Sequence, residues 1–64
     1  MKTFWITTTG IDDRGRISCQ ITGTVEAKAK PETVRTVTRR KDIYTDYHES
    51  RERAEEFVEI SRSI

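Results

Sequence analysis

The side chains with the most chemical potential in this 64-residue chain are one thiol, Cys19, and one imidazole, His48. They could act as a nucleophile and its base if the fold brought them together beside a third, orienting group. No local signature accompanies either residue. Cys19 falls in a row of apolar residues, where a lone thiol acts as a small hydrophobe. His48 reads as an exposed residue ahead of a helix. One Cys and one His also lack the paired spacing of a structural zinc site, and three isolated glycines build no phosphate loop. Carboxylates are adjacent only at Asp12-Asp13, in an expected turn, and at Glu55-Glu56, on an expected helix. Neither pair suggests acid–base work in a pocket. The expectation is a protein that is not an enzyme and carries no metal or cofactor.

Two other signals concern binding. Arg39-Arg40-Lys41, with Arg35 close by, could neutralise phosphates on nucleic acid. The same run could equally solubilise an edge strand, which proteins often protect with charge. Trp5 is the second signal. An aromatic ring on a polar sheet surface suits a protein interface or a stacking platform for bases.

Composition limits what can position these groups. A chain of this length buries only about 60% of the surface its unfolded form exposes. Its core is therefore thin, with no room for an enclosing cleft. Leu and Asn are absent, whereas ten Thr, seven Ile and four Val are present. Such β-branched residues suit a pleated surface, and the lack of Leu argues against a helical bundle. The lone Cys excludes an intrachain disulfide, and no signal segment or membrane span is visible, so a cytoplasmic location is expected. The net charge of +1 conceals an asymmetry. Residues 28–41 are basic and residues 42–59 acidic, which makes the chain dipolar.

The strongest pattern lies between Arg16 and Ala29. Ile17, Cys19, Ile21, Gly23, Val25, Ala27 and Ala29 alternate with polar residues, predicting one long strand with a buried and a wet face. A preceding strand spans Thr3–Ile11, and Asp12-Asp13-Arg14-Gly15 forms the turn. A four-residue loop pairs Ile11 with Arg16 and places Phe4, Ile6, Thr8 opposite Gly23, Ile21, Cys19. Phe4 and Ile6 then join the buried row, while Trp5 and Thr7 face outward with Gln20 and Thr22. A three-residue loop with a bulge would reverse those faces.

Lys30-Pro31-Glu32-Thr33 predicts a further turn, and a third strand runs from Val34 toward Tyr44. Its parity is broken, which a bulge near residues 39–42 would reconcile; a short helix from Pro31 is the competing reading. Ser50 is a natural N-cap, and Ala54, Phe57, Val58, Ser61 and Ile64 form a helical stripe. Phe57 and Val58 are expected against Phe4, Ile6, Ile21 and Val25. Asp46 with Glu49 offers an alternative capping box. The whole is one α+β domain over residues 1–64: a three-stranded antiparallel meander with a C-terminal helix on its apolar face.

This element order resembles that of the small DNA-binding domains at the N-termini of some phage integrases, which read the major groove with a three-stranded sheet. The resemblance is one of order alone and carries no functional residue across. The residues themselves point first to a small regulatory protein of inhibitor or adaptor type, of the kind phages and mobile elements encode, that binds a protein partner. Its expected surface comprises Trp5, Thr7, Gln20 and Thr22, flanked by Arg35, Arg39, Arg40 and Lys41. The alternative is a nucleic-acid-binding module using those four cations with Trp5 as stacking platform. Homodimerisation through an exposed edge of strand one or three is compatible with either.

Overall fold

The computed structural model describes residues 1–63. Four antiparallel strands, β1 (Lys2–Asp12), β2 (Ile17–Ala27), β3 (Val34–Val37) and β4 (Lys41–His48), form one sheet, followed by helix α1 (Arg51–Arg62). The α+β class and the C-terminal helix agree with the pattern; the strand count and order do not. The sheet runs β2-β1-β4-β3, so β1 is central and the free edges belong to β2 and β3. Strand one therefore offers no edge to a second copy.

The extra strand arises where parity fails. Instead of a bulge, Thr38 turns the chain: its amide and hydroxyl both donate to the Lys41 carbonyl at 2.9 Å. Two short strands with independent phases replace one irregular strand. β2 ends at Ala27 and does not pair with β3. Residues 28–33 instead carry the chain to the far edge, where the Thr33 hydroxyl donates to Asp46 Oδ1 at 2.7 Å.

The first turn sets the register. Asp12 N–H donates to the Arg16 carbonyl at 3.0 Å, leaving Asp13, Arg14 and Gly15 as a three-residue loop. Asp12 Oδ1 accepts the amides of Arg14 and Arg16, and Gly15 takes φ +78°, the backbone such loops require. Ile11 thus pairs with Ile17, Thr9 with Cys19 and Thr7 with Ile21, one residue from the four-residue-loop register. A shift between Ile6 and Thr7 then sets Ile6 against Gly23 and Phe4 against Val25. Buried positions in β1 change parity across this shift: Phe4 on one side, Thr7 and Thr9 on the other.

Phe4, Cys19, Ala54 and Thr7 are almost wholly enclosed, a core as thin as the length demands. Ser50 caps α1, its hydroxyl accepting from Arg53 N–H at 3.2 Å. Asp46 lies within β4 and takes no part in capping. Ala54 is buried beneath the helix, and Phe57, Val58 and Ser61 are half-buried; Ile64 lies outside the described residues. No helix among the described residues is long and apolar enough to cross a membrane.

Candidate functional site

The single imidazole and the single thiol are structural neighbours of other groups. His48 ends β4, pairs with Trp5 across the ladder and packs against Phe57, with ring centroids 4.8 Å apart and planes tilted by 47°. Its Nε2 shares a 2.8 Å hydrogen bond with the Thr7 hydroxyl. Burial pushes its pKa below the ordinary value of 6.5; the Asp46 carboxylate opposes that shift and the Lys30 ammonium adds to it. Cys19 is 2% exposed and its sulfur accepts from the Thr9 hydroxyl at 3.2 Å. No three of the described His, Cys, Asp and Glu residues converge as a metal cage would require.

Of the residues expected on the binding surface, Thr7 is withdrawn. Its side chain is fully buried and occupied by His48, because the shorter first loop moves it to the other face of β1. Trp5 is half-buried, and the Arg51 guanidinium, at the start of α1, sits 5.8 Å from its ring centroid. The tryptophan therefore lies beside the helix N-terminus. Gln20 and Thr22 are exposed on β2, where the Thr22 hydroxyl bonds that of Thr8 at 3.1 Å. Arg35, Arg39, Arg40 and Lys41 are all exposed. Arg35, however, is committed to Asp42 at 3.3 Å and lies over the Tyr44 ring. Trp5 and the basic run occupy opposite ends of β1, since Trp5 pairs with His48 and Asp12 with Lys41.

A surface that the pattern did not indicate lies along β2. The Asp12–Arg16 bond makes that pair a hydrogen-bonded rung. Antiparallel alternation then turns the backbone of Ser18 and Gln20 toward β1 and that of Ile17, Cys19 and Ile21 toward the free edge. Arg62, in the last turn of α1, reaches this edge and its Nε donates to the Cys19 carbonyl at 3.2 Å. Between α1 and β2 runs an open groove of about 550 Å³. Ile21 and Val58 supply its apolar lining, and Glu55, Glu59 and Arg62 its charge. The signal for this groove was the helical spacing of Glu55, Val58, Glu59 and Arg62. Which strand they flank depends on sheet order, which local pattern does not carry.

No protein-family model, no curated protein and no solved structure matches this chain.

Proposed function

We propose that this chain is a small non-enzymatic interaction protein that takes an extended segment of a protein partner along the free edge of β2. The observation that carries this reading is an 11-residue edge strand beside an open groove. An added strand gains main-chain hydrogen bonds from the edge and selectivity from pockets that receive alternate side chains. The Ile21–Val58 lining suits an apolar side chain, and the exposed carboxylate of Glu59 suits a basic one nearby, Glu55 being paired with Arg51. Arg62 screens the Cys19 carbonyl in the free protein, as charged side chains commonly do at sheet edges. The neighbouring amides keep the capacity to pair.

Selection from an unbiased display library of ten-residue peptides tests this reading. Binders should combine alternating apolar positions with a Lys or Arg. Glu59→Lys should reverse the charge preference and weaken wild-type binders by about tenfold, the scale of a close charge contact at an interface. Binders that ignore Glu59→Lys and leave the β2 amide resonances unmoved would sink the proposal. A concentration-dependent dimer in sedimentation, lost on adding peptide, would instead identify a second copy as the occupant.

A further inference from the structure

The two turns at one end of the sheet form a second surface, separate from the groove. β1 and β4 are antiparallel neighbours, and Asp12 pairs with Lys41. This pairing places the Asp13–Gly15 loop beside the Thr38–Arg40 turn, neighbouring strands being about 4.8 Å apart. Both turns line one recess of about 230 Å³. Arg39, Arg40 and Lys41 line this recess beside Asp12, Asp13 and Asp42. Arg14 and Arg16 lie outside it, in and next to the first turn at the same end of the sheet, and all five cations are exposed.

None of these five takes part in an ion pair among the described residues, where the pairs are Arg35–Asp42 and Arg51–Glu55. Arg35 and Asp42 cancel one another at the border of the cluster. Asp12 Oδ1 accepts the amides of Arg14 and Arg16 but keeps its charge, so Asp12 and Asp13 both oppose the five cations, which still outnumber them. We propose that this end of the sheet binds the phosphate backbone of duplex nucleic acid.

Arginine dominance favours phosphate, whose oxygens accept the guanidinium fork in bidentate fashion. A duplex is favoured over a single strand by what the surface lacks. Single-strand binding draws on aromatic stacking, yet residues 11–16 and 38–42 contain no aromatic side chain. Trp5 lies seven residues along β1 from Asp12, roughly 23 Å at the usual strand rise. Affinity must then come from phosphate contacts and be correspondingly sensitive to salt.

Anisotropy of an end-labelled 20-base-pair duplex tests the proposal. With about four phosphates engaged, raising salt from 50 to 200 mM should weaken binding on the order of 10²-fold. Arg39→Ala/Arg40→Ala and Arg14→Ala/Arg16→Ala should each reduce affinity and make the logarithmic salt slope shallower by about 2. Arg51→Ala/Arg53→Ala, at the other end of the sheet, should change neither. Circular dichroism checks folding; if the Arg14/Arg16 variant unfolds, Arg39→Gln/Arg40→Gln at the exposed turn decides alone. Absence of salt-sensitive binding, or tip variants that bind like wild type, would overturn the proposal. So would tighter binding to a single strand, to polyglutamate or to phosphatidylserine vesicles.

Discussion

Thr7 and His48 show how far a residue's type can mislead about its place. A threonine reads as polar, yet its hydroxyl can be enclosed when a partner satisfies it, and here His48 Nε2 does so at 2.8 Å. The consequence is a pH response. Because burial lowers the His48 pKa, the unfolded chain takes up this proton before the folded one as pH falls. Stability should therefore decline as pH drops through about 6.5 toward the lower folded value and level off below it. Asp46, which tempers the shift, and Lys30, Glu49, Arg53 and Glu56, which share the recess with His48, define the electrostatic setting. Between pH 8 and 5 the melting temperature of wild type should fall relative to that of His48→Gln. Parallel curves would show that His48 carries no linkage. The burial of Cys19, by contrast, was legible from its place in the apolar row.

At the scale of elements, α1 was the most readable, since Ser50 and the helical stripe act locally. Ser50→Ala should cost about 1 kcal/mol, or 4–8 °C in melting temperature for a domain of about this size. An unchanged melting temperature would mean that another group caps the helix. Strand existence was also legible: long alternation marks β2, and the segment before the Asp12–Gly15 turn supplies its partner β1. Register was not. It depends on whether Asp12 closes a three- or a four-residue loop, and one residue decides every face. The conflict of parity between Val34/Val37 and Ile43/Tyr44 was visible in the sequence. Its cause, a turn at Thr38 and not a bulge, rests on the hydrogen bonds that Thr38 makes to Lys41.

For the whole molecule, sequence order suggested a meander because consecutive strands usually pair. The fold departs from this by laying β4 against β1, and that pairing creates both surfaces described above. It leaves β2 at an edge beside the helix and brings two turns together at one end. It also separates Trp5 from the basic run, so the expected surface that combined them does not form. The core is thin, and the two surfaces proposed for binding are an edge and an end of the sheet.

The most direct test is amide hydrogen exchange along β2, without peptide and with a saturating ten-residue binder. In the free protein Ser18 and Gln20 should exchange slowly and Ile17, Cys19 and Ile21 quickly. The peptide should slow this fast set selectively. Uniform protection in the free protein, or a binder that leaves the fast set unchanged, would contradict the account of β2 as an open edge that accepts a strand.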